Sequence, residues 1–76
     1  MREKTVIVYS KPACPQCTMT KKALTQRGVS FREEALDSEV IEKFAERGFR
    51  SAPIVVVGET AWAGFQPDMI DGLIAA

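Results

Sequence analysis

The chain has no histidine, and among its 76 residues there are only two cysteines, one tryptophan and one tyrosine. Two cysteines without histidine cannot furnish the four ligands that a structural zinc site usually takes. A charge excess of either sign is also lacking. Ten basic and ten acidic residues give a formal net charge of zero, which argues against nucleic acid or an anionic membrane as partner, since both favour a basic excess. No apolar stretch approaches the ~20 residues needed to span a bilayer. The apolar run after Met1-Arg2-Glu3-Lys4 is too short for a signal peptide. The expected compartment is therefore the cytoplasm, where structural disulfides are rare. There is no internal repeat, linker or low-complexity tract, and residues 1–76 leave room for one domain only. A chain this short buries roughly 60% of its unfolded surface, which leaves a narrow margin of stability.

The two cysteines stand together as Cys14-Pro15-Gln16-Cys17, directly after an apolar run, Val6-Ile7-Val8-Tyr9, and at the head of a helix-like stretch from Pro15 to Arg27. A Cys-x-x-Cys pair where a strand hands over to a helix reads as a thiol–disulfide site. The first turn of a helix leaves N–H groups unpaired and carries partial positive charge, so a Cys14 thiolate is favoured there. Cys17 lies one turn further in, and Cα atoms three apart on a helix are separated by ~5 Å, within disulfide range. A purely structural bridge across so small a loop removes little unfolded-state entropy and stabilises weakly. With no histidine to act as a base, the proton of Cys17 is left to a Glu or to water.

Lys4 to Ser10 reads as a first strand, apolar on both faces and so central in a sheet. In the following helix Cys17, Thr20, Ala23 and Leu24 recur at helical spacing, Lys21, Lys22 and Gln26 face outward, and Gly28 supplies the stop. Val29 to Ala35 alternates like a half-buried edge strand. Asp37 or Ser38 caps a second helix with Val40, Ile41, Phe44 and Ala45 as its apolar stripe and a solvated charged face, ended by Gly48. Pro53 to Val57 is again apolar on both faces. Gly58-Glu59 suits a two-residue hairpin turn, and Thr60-Ala61-Trp62 returns along the edge. Gln66-Pro67-Asp68 opens the last helix, with Met69, Ile70, Leu73 and Ile74 inward. The order β-α-β-α-β-β-α, with the two all-apolar strands in the middle and a right-handed parallel crossover, predicts an α/β fold with a four-stranded mixed sheet of order 2-1-3-4. Helices one and three cover one face and helix two the other. This is the thioredoxin fold in its short glutaredoxin-like form.

Cys14-Pro15-Gln16-Cys17, Ala52-Pro53 and Trp62-Ala63-Gly64-Phe65-Gln66-Pro67-Asp68 together resemble the NrdH-redoxins, over nearly the whole chain. The Cys-x-x-Cys alone marks only the superfamily; its pairing with Trp-x-Gly-Phe-x-Pro-Asp is the specific signal. The resemblance implies a small dithiol–disulfide oxidoreductase that passes electrons to the large subunit of class Ib ribonucleotide reductase and is re-reduced by thioredoxin reductase. It implies no cofactor beyond the two thiols, no metal, and a monomer. Cys14 would be the attacking thiol and Cys17 the resolving one. The Ala52–Pro53 bond would be cis, turning the Ala52 backbone towards Cys14 to seat a substrate strand. Lys11 either adds positive potential beside the thiolate or is simply solvated. Trp62 is read as a motif marker and Phe65 as packing.

Three positions depart from the usual family pattern, which has Val at Pro15, Ser at Ala63 and Arg at Gln66. Ala63 and Gln66 remove polar groups that could tie the last loop to the helix. Pro15 is what glutaredoxins carry, so a glutathione-dependent dithiol glutaredoxin is the alternative reading. Against it, Gln16 stands where glutaredoxins have an aromatic ring. The Gly-Gly pair they use is broken by Phe65 after Gly64, and Asp68 falls inside the helix after Pro67. Only the Ser51-Ala52-Pro53 backbone remains for the tripeptide. A copper carrier is the reading from another class. Those proteins resemble Met-x-Cys-x-x-Cys, whereas Pro12 occupies the Met position here, and their element order differs.

Overall fold

The computed structural model describes the backbone of residues 5–74 and the side chains of residues 5–73. Its elements are β1 (Val6–Ser10), α1 (Pro15–Gln26), β2 (Arg32–Ala35), α2 (Ser38–Glu46), β3 (Ile54–Val57), β4 (Thr60–Ala63) and α3 (Pro67–Ile74). The four strands form one sheet in the order β2-β1-β3-β4. β1 runs parallel to β2 and antiparallel to β3, and β3 and β4 form the hairpin. This is the thioredoxin fold in its short form, as the alternation of apolar and mixed segments led us to expect. Lys4, assigned to the first strand from the sequence, lies outside the described residues, as does the side chain of Ile74.

Why β1 and β3 carry no polar face is visible in what covers them. Val8, Val55 and Trp62 stand opposite one another across the sheet. With Val6 and Val57 they pack against Ala23 and Leu24 of α1 and Ile70 of α3. The alternate residues face the other layer. There the Tyr9 ring lies 5.2 Å from that of Phe44 on α2, and Ile54 is buried.

Both longer helices end the same way. Gly28 and Gly48 adopt positive φ (75° and 93°), and the next residue folds back on the helix. Val29 N–H donates to Leu24 C=O and Phe49 N–H to Phe44 C=O, each at 2.9 Å. This double cap satisfies helix carbonyls that would otherwise be orphaned. It also explains why β2 begins at Arg32 and not at Val29. The Val29 amide belongs to the end of α1, and Val29 and Phe31 reach the core from unpaired extended chain.

Asp37, of the two expected caps, is the one used: its Oδ1 accepts the Val40 N–H at 3.0 Å. Two side chains depart from the expected stripes. Ile41 is 46% exposed because α2 is centred on Phe44, which leaves Ile41 at the rim. Met69 is exposed in the same way beside the fully buried Ile70. Lys21 faces outward as expected and reaches over β2 to Glu33. Arg27 ties α1 to α3 through Asp71 at 2.6 Å.

Candidate redox site

β1 delivers the chain to the site at Ser10. Lys11, Pro12 and Ala13 then turn it into α1, and Ala13 does so at φ 54°, the left-handed region that costs a residue with a side chain ~1 kcal/mol or more. Cys14 is the N-cap of α1, with Pro15 at the first helical position. Its Sγ accepts the backbone N–H of Cys17 at 3.2 Å. Its carbonyl accepts from the Thr18 N–H at 3.1 Å and from the Thr18 hydroxyl at 3.3 Å. The sulfur therefore sits on one of the unpaired donors of the helix start, where the helix field favours negative charge. Cys14 and Cys17 are joined as a disulfide with Cα atoms 5.2 Å apart. They are unequal in exposure. Cys14 is half-buried, whereas Cys17 is 2% exposed. A partner's disulfide can reach the first sulfur and not the second.

Two further segments close around this turn. The Ala52–Pro53 peptide is cis, and the buried Pro53 accepts the Gly64 N–H on its carbonyl at 2.7 Å. The next amide, that of Phe65, donates to Gln16 Oε1 at 3.0 Å. The residues expected at the site from three distant parts of the chain are thus brought together. Gln16 is held from the cysteine turn, Pro53 from the start of β3, and Gly64 and Phe65 from the loop before α3. Gly64 has φ 82°, and a Cβ there would stand 3.3 Å from Gln16 Oε1. The polar ties that Ala63 and Gln66 forgo are replaced in part. Gln66 Nε2 donates to the Ala63 carbonyl at 2.9 Å within the loop, and Gln16 supplies the link to α1.

Of the other expected residues, Lys11 lies at the cleft, whereas Trp62, Pro67 and Asp68 are not gathered in. Trp62 is a core side chain, 4% exposed, and its Nε1 has no partner among the described residues. Pro67 and Asp68 begin α3 on the surface, and Asp68 forms no side-chain hydrogen bond or ion pair with a described residue. Lys11 borders the cleft beside the cysteines, exposed and without an ion pair among the described residues.

A charged cluster at the same cleft was not found from the sequence. Ser10, Lys21, Glu33 and Glu34 line it together with Cys14 and Cys17. One carboxylate oxygen, Glu33 Oε2, accepts from the buried Ser10 hydroxyl and from Lys21 Nζ, each at 2.7 Å. The Lys21 bond first, and the Ser10 bond second, hold the Glu33 carboxyl below the usual carboxylate range. These residues come from three elements at positions 10, 21 and 33, so no spacing announces them. Only the parallel register, Val8 against Glu33, places Glu33 on the α1 side of the sheet.

Comparison with known proteins agrees with this geometry. The glutaredoxin family profile matches residues 6–62. The glutaredoxin-like protein NrdH of Escherichia coli K12 is 39% identical over 70 residues, covering 90% of this chain and 86% of its own length. The corresponding protein of Lactococcus lactis subsp. cremoris is 44% identical over 64 residues, covering 82% of this chain and 89% of its own. Among solved structures, the glutaredoxin-like NrdH-redoxin from Escherichia coli, described for its thioredoxin-like activity profile, superposes with a TM-score of 0.87. It is 38% identical and covers 95% of this chain and 97% of its own.

Proposed function

The chain belongs to the glutaredoxin family, in its NrdH branch, and we propose that within it this thiol–disulfide oxidoreductase is a thioredoxin-like electron donor. The reading is that it reduces the large subunit of class Ib ribonucleotide reductase and is itself reduced by thioredoxin reductase. No nucleic acid or membrane enters this reading, and the protein works in the cytoplasm as a monomer.

In the reaction, the Cys14 thiolate attacks one sulfur of the partner's disulfide. A Cys14–partner bond forms and the partner's other sulfur leaves as thiolate. Cys17 then gives up its proton and attacks the Cys14 sulfur, forming the Cys14–Cys17 bond and releasing the partner's second thiolate. Two electrons have passed to the partner. Thioredoxin reductase restores them from NADPH. Half-exposed Cys14 suits the first attack, and buried Cys17 suits one made only from within. The cis Ala52–Pro53 bond presents the backbone on which a partner strand is seated in this reading. Lys11, Pro15 and the loop of residues 64–66 support the site without taking part in bond exchange.

The observation that carries the choice of reductant is the Gln16–Phe65 hydrogen bond. Gln16 offers no ring to a tripeptide, and its amide oxygen is already committed to the loop. Losing charge-assisted contacts worth ~1.5–3 kcal/mol each weakens glutathione tenfold or more, while a protein partner can still pair along the backbone. The likeness to a protein with a thioredoxin-like activity profile supports the same choice.

The test is deoxyribonucleotide formation by a class Ib ribonucleotide reductase, with NADPH and thioredoxin reductase as the only source of electrons. Turnover is expected only when this protein is added. Turnover equal to that of a mixture lacking the protein overturns the assignment.

A further inference from the structure

The cluster beside the cysteines has a use that bond exchange alone does not assign. The geometry points to Glu33 as a positioning residue that pins and neutralises Lys21, so that the dithiol stays a stronger reductant than Lys21 alone would make it. This rests on Cys14 and Cys17 being the exchanging pair, and not on the identity of the partner.

Lys21 follows Cys17 by one helical turn, and residues four apart share a helix face. The helix would thus set an ammonium beside the cysteines. Glu33 intercepts it. The parallel register puts Glu33 opposite Val8, whose side chain faces the α1 layer, and Ser10, two residues further on β1, faces the same way. Glu33 Oε2 takes both the Lys21 ammonium and the Ser10 hydroxyl at 2.7 Å. Ser10 is 8% exposed, so its bond fixes the carboxylate from below. The carboxyl is held below its usual range by these two donors. It therefore carries a fixed negative charge throughout the neutral range.

The remaining charges at the cleft are few. Glu34 also lines it, but Arg32 engages its carboxylate at 2.8 Å. Lys11 contributes from the β1–α1 loop. Among the described residues, no charged side chain of α2, β3, β4 or α3 lines the cleft. The field at the sulfurs is then set by the start of α1, by Lys11 and by the Lys21–Glu33 pair.

The consequence follows from where the charge of the couple resides. The disulfide is neutral. Uptake of two electrons, with a proton for each sulfur that stays a thiol, creates thiolate charge in the reduced form only. An uncompensated cation nearby stabilises that form and makes the protein a weaker donor. Glu33 cancels that cation.

The test uses the full chain and needs no partner enzyme. Glu33→Gln should lower the thiol titration by about half a unit or more, a threefold gain in thiolate. It should also move the exchange equilibrium with a reference dithiol threefold or more towards the reduced protein. Lys21→Gln leaves Glu33 uncompensated and should move both readings the opposite way. Glu33→Gln with Lys21→Gln should return close to the parent. Shifts of the same sign in the two single variants, or no shift in either, overturn the proposal. Absence of any titrating, exchanging thiol pair in the parent protein would instead sink the oxidoreductase premise beneath it.

Discussion

Gln16 Oε1 accepts the backbone N–H of Phe65 across 3.0 Å, joining positions 49 residues apart. Together with the Gly64 amide on the Pro53 carbonyl, this bond fastens the cysteine turn, the cis-proline strand and the final loop into one surface. Gln16, one of the two residues between the cysteines, thus ties the cysteine turn to the loop before α3.

Removing the Gln16 amide should loosen that surface. Gln16→Ala is expected to cost about 1 kcal/mol, the usual net worth of such a bond, and to speed hydrogen exchange at the Phe65 amide. Gly64→Ala should cost at least as much, because it meets both a φ of 82° and Gln16 Oε1 at 3.3 Å. Denaturant unfolding of the two variants checks the pair; an unchanged midpoint for both contradicts the clamp.

The two cysteines should behave differently when replaced. Cys14→Ser is expected to abolish reduction of protein disulfides. Cys17→Ser should still attack, then accumulate a mixed disulfide with the partner, because no second thiol is placed to release it. Non-reducing electrophoresis and mass measurement distinguish the two outcomes. Normal turnover by Cys17→Ser contradicts the resolving role.

Much of this was legible in the residues themselves. β1 and β3 could be placed in the sheet centre because Val6–Tyr9 and Ile54–Val57 leave no polar face, and both layers of core do cover them. Asp37 and Ser38 both offered a cap for α2, and Asp37 takes the role. The strand start at Arg32 was hidden because Val29 alternates like a strand residue while its amide is taken by the end of α1. Ile41 and Met69 were misplaced for another reason. Periodicity defines an apolar stripe but not its centre, and the centre is set by which side chain meets the sheet, Phe44 in one helix and Ile70 in the other. The Ser10–Glu33–Lys21 cluster depends on strand register, which no local pattern encodes.

The position of Cys14 Sγ on the Cys17 amide predicts a thiol more acidic than ordinary. Thiolate absorbance of the reduced protein against pH should place the Cys14 transition below the free-cysteine value of about 8.5. A transition at or above that value contradicts the helix-terminus argument.

Glu33 also links stability to pH. Its folded-state pKa is lowered, chiefly by Lys21 and then by Ser10. Its stabilising contribution is therefore fully present above the unfolded carboxylate value, and is lost as pH falls through the lowered folded one. Unfolding midpoints measured from neutral pH into the acid range should fall less steeply for Glu33→Gln than for the parent. Identical slopes contradict a native-state ion pair at this position.

The choice of reductant is settled most directly by following reduction of the oxidised protein in two parallel systems at matched NADPH. One contains thioredoxin reductase and the other contains glutathione with glutathione reductase. The Gln16–Phe65 bond and the NrdH likeness predict fast reduction by thioredoxin reductase and at least tenfold slower reduction by glutathione. Equal or faster reduction by glutathione contradicts the assignment and makes the chain an ordinary dithiol glutaredoxin.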